Sequence, residues 1–156
     1  MIIGLSYDLK DEVFLPDGQP DDVLEEYDSA ETVEGLKRAI ELKGHSVVDL
    51  GGGRAFVENI LSHRVDLVFN ISEGLGCGRS REAQVPSILE MMSIPYTGSD
   101  PQTLSICLDK PLTKKILAAE GIKTPDWLIM EKNGKRPNLS LLKYPVFVKP
   151  AFEGSS

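Results

Sequence analysis

Two textures alternate along the 156 residues: short, continuously apolar runs, and longer stretches whose apolar positions recur at helical spacing. Ile2 to Tyr7 is an apolar run of strand length. From Asp28 to Gly44 the pattern predicts a helix. Val33, Leu36 and Ile40 share a face, Asp28 or Ser29 stands at the cap position, Glu31 and Glu34 occupy the first turns, and Lys37, Arg38 and Lys43 load the far end. His45 to Leu50 reads as a second strand, Gly51-Gly52-Gly53 as a turn, and Ala55 to Ser62 as a short helix. Val65 to Ile71 is almost unbroken in its hydrophobicity, as a strand buried on both faces of a parallel sheet should be. A helix from about Glu82 to Met92 and a short fourth strand, Ile94 to Thr97, complete a β-α-β-α-β-α-β order. That order predicts an α/β fold, an open parallel sheet with right-handed crossovers.

After Gly98 the pattern changes. Asp100-Pro101 opens a helix with proline at its first position that ends near Leu108, and Asp109 opens another, with Leu112, Ile116 and Ala119 on one face and Gly121 at its end. Trp127 to Met130 and Val146 to Val148 predict two strands joined by the basic turn 132–136. The expected organisation is a sheet domain over residues 1–98 and a second domain over 99–156 that the chain does not close.

Composition narrows the partners. Seventeen Lys and Arg against twenty-four Asp and Glu leave a formal net charge of -7, which disfavours nucleic acid held by phosphate attraction. Two cysteines, Cys77 and Cys107, and two histidines, His45 and His63, have no spacing that supports a disulfide framework or a zinc site. Met1 to Leu5 lacks the basic start and length of a signal segment, and no apolar stretch approaches the ~20 residues that span a bilayer. The expectation is a cytoplasmic protein with free thiols and no membrane partner.

Candidate chemistry gathers in four places. Asp8 to Asp28 is a long loop with nine acidic residues and two prolines, a length that is usually functional or mobile. The first strand runs into Ser6-Tyr7-Asp8 without glycine, so the fingerprint of a dinucleotide site is absent. Gly51-Gly52-Gly53 precedes a helix and offers amides to an anion, although a plain β-α turn explains it more simply. The loop from Asn70 to Glu82 lies at the carboxyl end of a central strand, where open α/β sheets bind ligands. It carries Glu73, Arg79 and Arg81 among flexible glycines; the alternative is a solvated connection whose arginines pair with Glu82. Lys110 sits at a helix start, where its charge opposes the macrodipole unless an anion lies between them. Lys149 ends an apolar run before Pro150, a position suited to a phosphate or carboxylate and equally to a strand end at the surface. Glu153-Gly154-Ser155-Ser156 supplies amides and hydroxyls for an anion nest.

The order of motifs is more specific than any one of them. Ile94-Pro95-Tyr96-Thr97-Gly98-Ser99, then Leu108-Asp109-Lys110 with Lys114, then the run from Ala119 to Pro125, then Tyr144 to Ser156 resemble the D-alanine–D-alanine ligases, loosely from Ile2 and tightly from Val68 onward. The resemblance implies a Rossmann-like domain that precedes an ATP-grasp, followed by the incomplete start of the ATP-grasp central domain. It implies that Lys110 and Lys149 contact ATP phosphates, with Glu153 and Gly154 beside them, and that Ser155 and Ser156 belong to the mobile loop over the reacting groups. Glu73, Arg79, Arg81 and Glu25 are then the residues facing amino-acid substrates. The implied chemistry is a magnesium- and ATP-dependent ligation, an amide formed through an acyl phosphate, of the kind used in peptidoglycan biosynthesis. In the family the magnesium ligands lie in the C-terminal domain, so no metal ligand is assigned here and this stretch alone is expected to be inactive. A homodimer is the assembly the resemblance allows. Two features depart from the family. Glu73 stands before Gly74 where a histidine is usual, and the acidic 8–28 loop replaces a glycine-rich turn whose glutamate holds the first amino acid's ammonium, with Glu25 as its counterpart. The alternative function is a small-ligand-binding or regulatory module without catalysis.

Overall fold

A computed structural model describes residues 1–13, 23–76, 78–131 and 133–154. Its centre is a parallel sheet of β1 (Ile2–Ser6), β2 (Ser46–Asp49) and β3 (Leu67–Asn70), in the order β2-β1-β3. Gly4 of β1 registers with Val48 of β2 on one side and Val68 of β3 on the other. Between them run α1 (Ala30–Leu42) and α2 (Gly53–Ser62), and after β3 come α3 (Gln84–Met91), α4 (Pro101–Leu108) and α5 (Lys110–Ala119).

The chain moves from β1 outward to β2, then back across β1 to β3. Right-handed crossovers in opposite directions put α1 and α2 on opposite faces of the sheet. The α2 and α3 face holds the core, where Leu50, Phe56, Ile60, Val68, Val85 and Leu89 are buried together. The alternation along β1 turns Ile3 and Leu5 to the other face, and both are buried there. On α1, which packs against β2, the buried residue is Val33.

Local chemistry sets the helix ends as expected. Ser29 Oγ accepts from Thr32 N at the start of α1, and one Asp100 oxygen accepts from Gln102 N and Thr103 N at the start of α4. The fourth strand is shorter than its sequence predicts. Among the described residues only Tyr96 pairs, as a single parallel bridge to Val68, held by Val68 N to Pro95 O and Thr97 N to Val68 O, each at 2.9 Å. Pro95 accepts there and has no N–H to extend the ladder.

Two strands expected beyond Gly98 do not form. Residues 127–130 and 146–148 are irregular, and neither run pairs as a strand among the described residues. Apolar residues in them stay at the surface, with Met130 67% and Val148 91% exposed. An isolated hairpin is marginal without a third strand or a covering helix, so apolar sequence alone does not hold these segments extended. Lys149 therefore ends no buried strand. Cys107 is a free thiol at the surface, Cys77 lies outside the described residues, and among those residues no helix is long and apolar enough to cross a membrane.

Candidate functional site

The strand order reverses between β1 and β3, and such a switch point opens a crevice at the carboxyl ends of the strands. Ser6 and Asn70 close the two strands and are tied by Ser6 Oγ to Asn70 Oδ1 at 2.7 Å. Beyond them lies a cleft of about 340 Å³, with Glu26, Asp28, Ser72, Glu73 and Glu82 in its wall and Gly98, Ser99 and Leu104 on its far side.

Asp8 anchors the floor. It is 5% exposed and its Oδ2 accepts from Gly74 N at 2.9 Å. Burial raises its carboxyl above the usual range, and the amides of Gly74 and Glu73 partly offset that. Two glycines are required by this packing. A Cβ on Gly52 would overlap the Asp8 carboxylate, and one on Gly74, which sits at φ +78, would overlap the Arg81 carbonyl. Gly51 to Gly53 thus serve as the β-α turn that opens α2 against Asp8.

Arg81 is the central cation, 3% exposed on a short 3-10 turn before α3. Its Nη2 donates to Glu26 Oε2 at 2.5 Å and its Nη1 to Phe152 O at 2.5 Å. The same Glu26 oxygen accepts from Gly154 N at 3.1 Å. Arg79 takes another route, donating to Asp109 Oδ2 at 3.2 Å with its guanidinium 5.9 Å from the Phe152 ring centre. Asp109 Oδ1 meanwhile caps α5 through Leu112 N. The arginines therefore pair with Glu26 and Asp109, and Glu82 is left to the cleft.

The segment from Ala151 to Gly154 lies across this site as a strap. Lys110 N donates to Ala151 O at 3.1 Å, and Lys110 Nζ donates to the Glu153 carbonyl. Burial lowers the Lys110 pKa, and the nearby Lys149 ammonium lowers it further. Beneath the strap the carboxylates crowd: a Cβ on Gly154 would lie 3.1 Å from Glu73 Oε2 and 3.3 Å from Glu82 Oε1. Burial first, then the charges of Glu82 and Glu26, push Glu73 up to about 7, with Arg81 opposing. Glu82 is raised by burial, with Arg81 opposing and Glu26 adding to the rise.

Of the residues expected from sequence, the structure brings together Glu73, Arg79, Arg81, Lys110, Glu153 and Gly154, with Lys149 close to Lys110. Glu25 stands apart, 68% exposed and 3.4 Å from Lys10 Nζ. Ser155 and Ser156 lie outside the described residues. Sequence reasoning passed over Glu26 and Asp8, and took Glu82 only as a partner for the loop's arginines. Asp8 had a signal, its place directly after the first strand. Glu26 had none that separates it from Glu25, because only the path of the loop decides which of two adjacent carboxylates turns inward.

No protein-family model matches the chain. It is 34% identical over 128 residues to the D-alanine–D-alanine ligase of Aquifex aeolicus, covering 82% of this chain and 43% of that protein. It is 35% identical over 136 residues to the ligase of Carboxydothermus hydrogenoformans, covering 82% and 42%. Among solved structures, the D-alanine–D-alanine ligase of Bacillus anthracis complexed with ATP superposes with a TM-score of 0.66 at 25% identity, over 98% of this chain and 48% of that one. The chain thus spans less than half the length of these relatives. The likeness runs through sequence and fold alike, and the chain belongs to the D-alanine–D-alanine ligase family, over that family's N-terminal part.

Proposed function

We propose that this chain forms the nucleotide- and substrate-facing N-terminal part of an ATP-dependent carboxylate–amine ligase. The observation that carries the reading is the 151–154 strap, which ties Lys110, with Lys149 nearby, to the Glu26 edge of a carboxylate-lined cleft at the sheet's switch point. Lys110 feels the Lys149 ammonium as well as the carboxylates of Glu153, Glu82 and Glu26, and two neighbouring ammonium groups suit the spread charge of a polyphosphate. Lys110 and Lys149 would hold its phosphates, with the amides of Glu153 and Gly154 beside them and Ser155 and Ser156 continuing the loop. What ATP supplies, when bound, is the phosphoryl group that activates one amino acid's carboxylate as an acyl phosphate, which the amine of a second opens to an amide. The lysines' part is to neutralise charge on that group.

Magnesium fits differently. Among the described residues no group of three or more His, Cys, Asp or Glu is placed to hold a metal ion, so no step is assigned to a metal here. The reading places residues 1–98 in the domain preceding the ATP-grasp and 99–156 in the start of the central domain, in a cytoplasmic enzyme, a homodimer, making a peptidoglycan precursor. The stretch by itself does not turn over.

The test is ATP binding, read by calorimetry, and amino-acid-dependent ADP release, both by a chimera joining the chain to the remaining length of the Aquifex aeolicus relative. Lys110→Ala should weaken ATP binding at least tenfold. Unchanged ATP affinity in that variant, or ADP release that ignores amino acids, refutes the reading.

A further inference from the structure

Glu73 lies under the strap, and the strap is held by groups that feel its charge. A Cβ on Gly154 would sit 3.1 Å from Glu73 Oε2, so this stretch of backbone is part of what keeps water from the carboxyl. Gly154 N rests on Glu26 Oε2 at 3.1 Å, and Phe152 O accepts from Arg81 Nη1 at 2.5 Å. Lys110 ties down the rest, through its amide to Ala151 O and its ammonium to the Glu153 carbonyl.

Charged and titratable groups face Glu73 from every side. Glu82 and Arg81 lie on the turn before α3, and Glu26, Tyr27 and Asp28 on the segment before α1. Asp8 follows β1 and holds the amides of Glu73 and Gly74, while Lys10 balances part of the Asp28 charge. On the strap side Glu153 brings a carboxylate, and Lys110 and Lys149 bring ammonium groups. Arg81 is the cation that favours ionised Glu73, and it is already shared between Glu26 and the strap.

We propose that the 151–154 strap is a pH-sensitive cover, which stays down while Glu73 is protonated and lifts when Glu73 ionises, so that the cleft opens as the pH rises toward neutral. Three effects act in the same direction. An ionised carboxylate under the strap forfeits hydration that lifting restores. It offers Arg81 a charged acceptor, roughly twice as strong as a neutral carbonyl such as that of Phe152. It also adds to the negative charge beneath a strap that bears Glu153. Glu73 titrates near 7 in the covered fold, above its ordinary 4.5, so the covered state is favoured fully below pH 4.5 and loses that advantage as the pH rises through 7. Lifting that restored ordinary ionisation would raise the open fraction about 300-fold over that range. The strap is only part of the cover, so a change on the order of tenfold is expected. The device goes beyond the ligase reading and holds without it.

Amide exchange in the native chain between pH 5 and pH 7.5, each rate divided by that of an unstructured peptide at the same pH, reads the strap at Gly154 and Lys110. Lys110 N opens α5 and has no partner within the helix, so Ala151 O is what protects it. The expected result is a loss of protection of at least tenfold at both amides, with both less protected at every pH than Leu50 N, which donates to Leu5 O in the sheet. In Glu73→Gln the loss should be less than threefold. Glu82→Gln removes a charge that holds the Glu73 proton on, so there the loss should be complete at lower pH. Protection that does not change with pH, an equal loss in Glu73→Gln, an unshifted loss in Glu82→Gln, or strap amides that exchange no faster than Leu50 each overturn the proposal.

Discussion

Replacing Arg81 with methionine should destabilise the protein far more than loss of a surface arginine would. Arg81 and Glu26 have side chains 3% and 9% exposed, and 2.5 Å separates their nearest charged atoms. Methionine matches much of the stem's volume and removes the charge, so the loss comes mainly from a buried carboxylate left without its counterion. Breaking such a pair from one side costs about 3–5 kcal/mol. Phe152 O loses its donor as well, at about 1 kcal/mol. For a chain of this size, 3–5 kcal/mol is a fall in melting temperature of roughly 6–20 °C. Urea denaturation of the native chain, Arg81→Met, Glu26→Gln and the double variant measures the effect and its origin. The double variant, with no stranded charge, should recover at least half of what Arg81→Met loses. A loss in Arg81→Met below about 1 kcal/mol, the scale of an exposed pair, would refute the reasoning.

Other consequences follow from the same cluster. Glu73 titrates near 7 in the fold, above its ordinary 4.5, so its contribution to stability is complete below pH 4.5 and lost as pH rises through 7. Glu73→Gln should gain on the order of 1 kcal/mol over the native chain at pH 8, less than full linkage because solvent reaches the group, and almost nothing at pH 4.5. Urea midpoints that run parallel across that range contradict the assignment. Gly74→Ala combines a left-handed backbone with overlap on the Arg81 carbonyl, and a loss of about 2 kcal/mol or more is expected in the same assay. Ser29→Ala removes the cap of α1 and should cost about 1 kcal/mol, read from the thermal transition by circular dichroism.

The sheet half of the molecule was legible because its signals are local. Caps at Ser29 and Asp100, the proline at the first turn of α4, and the almost unbroken apolar run Val65 to Ile71 each act within a few residues. The failures are all cases where a distant partner decides. Ile94 to Thr97 has strand composition, but Pro95 limits it to one bridge with Val68. Trp127 to Met130 and Val146 to Val148 have strand composition without a neighbour to pair with. In the site, position after a strand drew notice to the 70–82 loop, and helix-end electrostatics to Lys110. Which carboxylate meets Arg81 was hidden, since 55 residues separate it from Glu26 and only the closed fold brings them together.

The strap across the cleft has a consequence for the order of events in the chain. Gly154 reaches Glu26 over 128 residues of sequence, whereas β1 pairs with β2 over the span from Ile2 to Ser46. Loop-closure entropy grows only logarithmically, so the longer closure costs just about 1 kcal/mol more than the shorter. Chain connectivity therefore does little to keep the strap either on or off. Its residence is set by a few hydrogen bonds to Arg81, Glu26 and Lys110, none of which belongs to the sheet ladder. The cleft can uncover and cover while the strands stay paired, which makes opening of the site a local event, detectable by hydrogen exchange at Gly154 long before exchange begins at Leu5.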